Sequence, residues 1–147
     1  MMEIKGHPLI DGEVVAPLVK LEMPLSLWGG LDVETGAIMD ATHPQRGVCL
    51  AGAMVAMSAA RGSSSSSSTL VEAVRLARAP AAFILTQADP ILTIGSLVAA
   101  DLYGIEVPIM VIDPESLIGM PAHEMARVRR GGMICISAAG DAALPAC

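Results

Sequence analysis

Apolar residues fill positions 2–9 and 12–23 in two runs rich in Val, Ile and Leu, joined by the turn signal Asp11-Gly12. Both runs predict β-structure. Gly29-Gly30 interrupts the pattern, and Asp32-Val33-Glu34-Thr35-Gly36 reads as a tight loop closed by a glycine. Residues 37–39 fit a short strand, 40–47 are polar and turn-like, and 48–57 fit a strand with little alternation, as when both faces are covered. Beyond a run of serines, Leu70, Val71, Val74, Leu76 and Ala77 recur at helical spacing opposite Glu72, Arg75 and Arg78, and Pro80 ends that helix. Residues 82–86 read as a buried strand. Asp89-Pro90 offers an N-cap carboxylate followed by proline at the first helical position, which predicts a helix running to Tyr103 and stopped by Gly104. Residues 107–112 are the next strand, closed by Asp113-Pro114. In the final third, residues 133–137 read as a strand after the turn Arg130-Gly131-Gly132, and the tail from Ala138 is expected to be loose.

The middle of the chain is thus strand, serine loop, helix, strand, helix, strand. Two βαβ crossovers imply parallel strands and right-handed connections. With the all-β start, the expected fold is a single mixed α/β domain over residues 1–147, layered β/β/α. The run Arg61-Gly62-Ser63-Ser64-Ser65-Ser66-Ser67-Ser68-Thr69 sits inside the first crossover. Six consecutive serines suit a flexible linker, or a strand-to-helix turn whose hydroxyls and free N–H groups face an anion. Apolar residues lie close on both sides, which counts against the linker. Ligands of open α/β sheets bind where the carboxyl ends of strands lead into helix N-termini, and the run occupies such a place. Arg61 could contact a carboxylate or phosphate, and Gly62 permits the sharp turn that presents Ser63.

Composition narrows the function classes. The chain has 147 residues, 53% of them apolar, and a single Phe, Trp and Tyr. Its core must therefore be aliphatic and methionine-rich, and so apolar a small chain is expected to carry a buried partner surface. A net charge of −6 argues against nucleic-acid binding. Pro, Gly or Asp interrupts each apolar stretch before the ~18 residues that would span a bilayer. The N-terminus lacks a signal-peptide core, which places the chain in the cytoplasm. Cys49, Cys135 and Cys147 are widely spaced without a Cys-x-x-Cys pair, so all three are expected as unpaired, buried or incidental thiols with no metal role.

Serine is a weak nucleophile and base without activation. His7, His43 and His123 show no triad context and are expected to be structural or at the surface. There is no Gly-x-Ser-x-Gly elbow, no Gly-Lys-Ser/Thr ending and no metal-ligand cluster. Asp32, Thr35 and Gly36 suit a turn, and Asp89 suits an N-cap. Trp28 suits either a partner contact or the core. The residues alone yield an anion-binding serine loop that is insufficient for a full reaction.

Several longer motifs resemble one family. Pro24-Leu25-Ser26-Leu27-Trp28-Gly29-Gly30-Leu31-Asp32-Val33-Glu34-Thr35-Gly36 is similar to the P-L-S-F-W-G-G-V-D-P-E-T-G signature of the aconitase X swivel domain, and His43-Pro44, Gly47 and Ala51-Gly52 follow in order. Arg61 to Ser67 resembles its R-G-S-x-x-x-S segment, and Asp89-Pro90-Ile91-Leu92-Thr93-Ile94-Gly95 with residues 105–112 resembles its D-P-I-L-T-L-G … I-P-V-V block. The resemblance implies a swivelling β/β/α domain, either fused to a large catalytic domain or made as a separate small subunit. It further implies one of two dehydrations: cis-3-hydroxy-L-proline to Δ1-pyrroline-2-carboxylate, or 5-phosphomevalonate to its anhydro form. This chain would be the separate small subunit, the partner a large catalytic subunit, and the iron or iron–sulfur centre a property of that partner, with no cofactor bound here. By motif position Ser63 corresponds to the proton acceptor, and Arg61, Gly62, Ser64, Ser65 and Ser67 would bind the small hydroxy-carboxylate substrate.

The hydroxyproline activity is the expected one. A phosphorylated substrate asks for more positive charge than nine Lys and Arg against fifteen Asp and Glu provide. A non-catalytic anion-binding or interaction domain of the same fold is the alternative from another class.

Overall fold

The computed structural model describes residues 1–137 and 147. Its strands are β1 (Met2–Lys5), β2 (His7–Ile10), β3 (Val14–Lys20), β4 (Met54–Ala56), β5 (Ala82–Leu85), β6 (Ile109–Val111), β7 (Met125–Val128) and β8 (Met133–Ser137). The helices are α1 (Leu27–Gly30), α2 (Ser66–Arg75), α3 (Pro90–Tyr103) and α4 (Pro114–Gly119). The strands form one mixed sheet in the order β1-β8-β7-β3-β4-β5-β6-β2. Its two edges, β1 and β2, are consecutive in sequence and separated by Gly6 alone, whose N–H donates to the Gly132 carbonyl at 2.8 Å. The predicted 2–9 run is therefore one strand bent into two, and the bend nearly closes the sheet on itself.

The two βαβ crossovers are present: β4, β5 and β6 pair in parallel, with α2 and α3 as the connections. Alternate residues of these strands enter two different cores. Leu18, Met54, Ala56, Ala82, Ile84 and Met110 point into the rolled sheet with Ile4, Ala126, Val128, Ile134 and Ile136. Val19, Val55, Phe83, Leu85 and Ile109 face the other way and pack beneath Leu70, Ala73 and Val74 of α2 and Leu92 and Ala99 of α3. Burial on both faces explains the apolar runs without alternation.

Helix α3 begins and ends as predicted. The Asp89 carboxylate accepts from the N–H groups of Ile91 and Leu92 at 2.9 and 3.0 Å, and Gly104 closes the helix in the left-handed region (φ 65). Other expectations need correction. The 48–57 segment is no continuous strand: Cys49 bridges to Ala37, a turn follows, and β4 covers only Met54–Ala56. Helix α2 starts four residues before the apolar spacing suggests and stops at Arg75, with Ala77 in the left-handed region (φ 57). Helix α4 and strand β7 carry too few apolar residues for the pattern to mark them. The cysteines also differ from expectation. Cys49 is disulfide-bonded to Cys147, with Cα atoms 5.3 Å apart across 98 positions, while Cys135 is free. Only the fold reveals that pair, because spacing in sequence carries no information about so distant an approach. The expectation of a loose tail lies outside the described residues.

Candidate functional site

The site is built where β4 and β5 end and α2 and α3 begin. After Met57 the chain runs along the 24–30 segment: Leu25 bridges to Ala60 in parallel, and the Arg61 N–H donates to the Leu25 carbonyl at 3.2 Å. The serines then wind into the helix. Ser66 and Ser67 N–H groups reach the carbonyls of Ser63 and Ser64 at 3.0 and 3.4 Å, and the hydroxyls of Ser68 and Thr69 donate to the Ser65 carbonyl at 2.9 and 3.0 Å. These bonds make the last serines the first turn of α2. A pattern search cannot see this, since serine is neutral in hydropathy and α2 shows no apolar residue before Leu70.

Arg61, Gly62, Ser64 and Ser65 are exposed and Ser63 is half-buried, all on one edge at the N-terminus of α2. Ser65 occupies the N-cap position without placing its side chain on the helix, and the Ser66 and Ser67 N–H groups meet the Ser63 and Ser64 carbonyls, so what this helix end offers an anion is the positive end of its dipole. The Ser63 Oγ accepts from the Ser65 N–H at 3.3 Å. That donor and the dipole both favour negative charge on the Ser63 oxygen. Ser67, half-buried in the first turn of α2, also links the two helices. Its hydroxyl donates to the Ile91 carbonyl at 2.6 Å and ties α2 to α3.

Sequence reasoning passed over the Asp40 turn. Asp40 accepts from the N–H and the hydroxyl of Thr42 at 2.9 and 2.8 Å. These bonds, the N–H first, hold its carboxyl below the usual carboxylate range, and the nearby charges of His43 and Arg61 act in the same sense. Asp40 is thus held as an anion chiefly by its own turn. The signal available was Asp40-Ala41-Thr42, a side-chain turn motif with no mark of its distance from Arg61. His43 is structural as expected: it is buried, and its ring nitrogens meet the Met23 carbonyl and the Gln45 N–H at 3.0 and 3.1 Å. Asp32 closes its own turn on the Glu34 N–H, and Asp89 is the α3 cap.

Trp28 is 60% exposed, which removes the core alternative. Met23 and Met39 are also exposed. The Met23 carbonyl bonds the His43 ring, and the Gly30 carbonyl accepts from the Met39 N–H at 2.8 Å. Among the described residues no group of three or more His, Cys, Asp or Glu could hold a metal. The disulfide also occupies two of the three thiols. The described residues offer no ligand set for a metal centre. No helix among the described residues is long and apolar enough to cross a membrane.

The family model of the aconitase X swivel domain matches residues 3–136. The chain belongs to that family. A cis-3-hydroxy-L-proline dehydratase of Hypocrea jecorina is 33% identical over 138 residues, 94% of this chain. One of Pseudomonas aeruginosa is 36% identical over 128 residues, 87% of this chain. The chain spans only 23% and 22% of the length of these two relatives. A phosphomevalonate dehydratase small subunit of Thermococcus onnurineus is 32% identical over 98 residues, 67% of this chain and 75% of that subunit. The crystal structure of Thermococcus kodakaraensis aconitase X in its holo-form shares the fold with a TM-score of 0.82 and 24% identity, covering 93% of this chain and 99% of that one.

Proposed function

We propose that this chain is the swivel component of an aconitase X-type dehydratase that converts cis-3-hydroxy-L-proline to Δ1-pyrroline-2-carboxylate. It works in the cytoplasm as the small subunit of a heterodimer with a large catalytic subunit. The observation that carries the proposal is the open edge at the start of α2. Half-buried Ser63 and exposed Arg61 stand there at a helix N-terminus, beside the exposed side chain of Trp28, whose N–H reaches Ser66. That is half of a site, and the exposed Trp28 suits closure by a partner. The exposed Ile94, Leu97 and Leu102 of α3 extend the uncovered apolar surface.

In the proposed elimination the Arg61 guanidinium pairs with the substrate carboxylate. The Ser63 oxygen, its negative charge favoured by the Ser65 N–H and the α2 dipole, takes the proton from the carbon beside that carboxylate. The electron pair of the broken C–H bond forms the C2=C3 double bond, and the hydroxyl on C3 leaves as water with a proton from the partner. The resulting enamine then gains a proton at C3 and loses the one on nitrogen to give the Δ1 imine. No acid for the loss of water stands beside Ser63 in the hydrogen bonds of the described residues. We assign that acid, together with the iron or iron–sulfur centre that the family resemblance implies, to the large subunit.

Phosphomevalonate is the second reading, favoured by relatives that are separate small chains; the Methanothermobacter thermautotrophicus small subunit is 90% covered at 29% identity. The test is to combine the chain with its large subunit and supply each substrate in turn. Turnover of cis-3-hydroxy-L-proline supports the first reading, and turnover of 5-phosphomevalonate alone supports the second. Turnover of neither returns the chain to a non-catalytic anion-binding role.

A further inference from the structure

Ser66 is the one buried member of the serine run, 2% exposed. Its N–H donates to the Ser63 carbonyl at 3.0 Å, and its Oγ accepts from the Trp28 N–H at 3.2 Å. The 25–30 segment is the strip on which the parts of the site hang. The Leu25 carbonyl holds the Arg61 N–H, the Gly30 carbonyl holds Met39 next to Asp40, and Trp28 holds Ser66. Leu25, Leu27 and Leu31 anchor the strip in the core, and the part that packing leaves free is the bend at Trp28 and Gly29. Gly29 turns it through a left-handed conformation (φ 77) with no atom within 4 Å of where a Cβ would stand, and the Trp28 side chain lies mostly in solvent. The Leu31 N–H closes the bend on the Leu27 carbonyl at 2.9 Å, the Ser26 hydroxyl donates to the Trp28 carbonyl at 3.1 Å, and Ser66 receives the Trp28 N–H and so ties the bend to α2.

We propose that Ser66 is a positioning residue. Its hydroxyl locks the Trp28–Gly30 bend onto the first turn of α2 and thereby sets the spacing between Arg61, which hangs from one end of the strip, and Ser63, which hangs from Ser66. Without the hydroxyl a part-buried N–H loses its partner and the bend loosens. Ser66 touches no substrate and acts through Ser63 and Trp28. The consequence for turnover rests on the dehydratase reading above, whereas the consequence for the bend does not.

Trp28 is the only tryptophan in the chain, so fluorescence excited at tryptophan reports the bend directly. In Ser66→Ala the Trp28 amide exchanges roughly tenfold faster with deuterium, as expected for one lost hydrogen bond, and Trp28 emission anisotropy falls. In the complex with the large subunit, kcat falls roughly tenfold to a hundredfold while KM stays within about threefold, the mark of a group misplaced by less than its own length. Ser66→Thr, which keeps the hydroxyl, restores slow Trp28 exchange. Wild-type exchange and anisotropy in a folded Ser66→Ala overturn the proposal, as does an unchanged kcat. If Ser66→Ala does not fold, the Trp28 amide of the native chain decides: protection from exchange supports the bond and an unprotected amide overturns it. A complex inactive with wild-type chain defeats the dehydratase reading and leaves the Trp28 result standing.

Discussion

The proposed base role requires Ser63 to lose a proton before it accepts one, and an isolated hydroxyl does not do so near neutral pH. The structure offers the Ser65 N–H and the positive end of α2 as its local support. Ser63→Ala should therefore lower turnover of the complex by about a thousandfold or more. Thermal melting should be unchanged, because Ser63 is half-buried and its side chain bonds only within the loop. Asp40 makes a separate prediction about pH. Its carboxyl is depressed in the folded chain by the Thr42 bonds, so its contribution is complete above the ordinary carboxylate range, near pH 4, and is lost as pH falls through the lower folded value. In an acid titration followed by Trp28 emission, a transition should appear below about pH 4 and be missing from Asp40→Asn. Arg61 and Ser63 are picked out in the sequence by a specific motif, and the structure places them at the start of α2. Ser66 and Asp40 are not picked out. Six identical residues hide which one is buried, and the approach of Asp40 to Arg61 depends on how the 37–49 hairpin folds back.

At the scale of elements, α2 and α3 meet where Gly95 crosses the serine turn. A Cβ on Gly95 would lie 3.0 Å from the Ser67 carbonyl oxygen and 3.2 Å from Ser67 Cα and Leu70 Cδ2. Gly95→Ala should thus push the helices apart by a few tenths of an ångström and destabilise the fold by about 1–3 kcal/mol in urea unfolding. An unchanged midpoint would mean that the seam has slack. The strands and helices of the two crossovers were predictable from apolar runs, the Asp89-Pro90 cap and the Gly104 stop. Helix α4 and β7 were not, since α4 buries no residue and β7 alternates over only four positions. The bend that turns residues 2–9 into both edges of the sheet was also hidden, because Gly6 in sequence gives no sign that Gly132 lies against it.

The molecule as a whole combines two aliphatic cores with surfaces left uncovered at the serine edge and along α3. The Cys49–Cys147 bond constrains it further, closing a loop across 98 positions. Reduction, or Cys147→Ser, should lower stability by about 2–4 kcal/mol, and the reductant should then have no further effect on the variant. Identical melting with and without reductant would contradict a disulfide that spans the fold. The open serine edge leads to the central claim that this chain holds one half of a dehydratase site. The most direct measurement is the rate of Δ1-pyrroline-2-carboxylate formation from cis-3-hydroxy-L-proline by the chain alone, by its large subunit alone and by the two combined. We predict turnover only in the mixture, and none when the chain carries Ser63→Ala. Turnover by the isolated chain, or full turnover with Ser63→Ala, would contradict it.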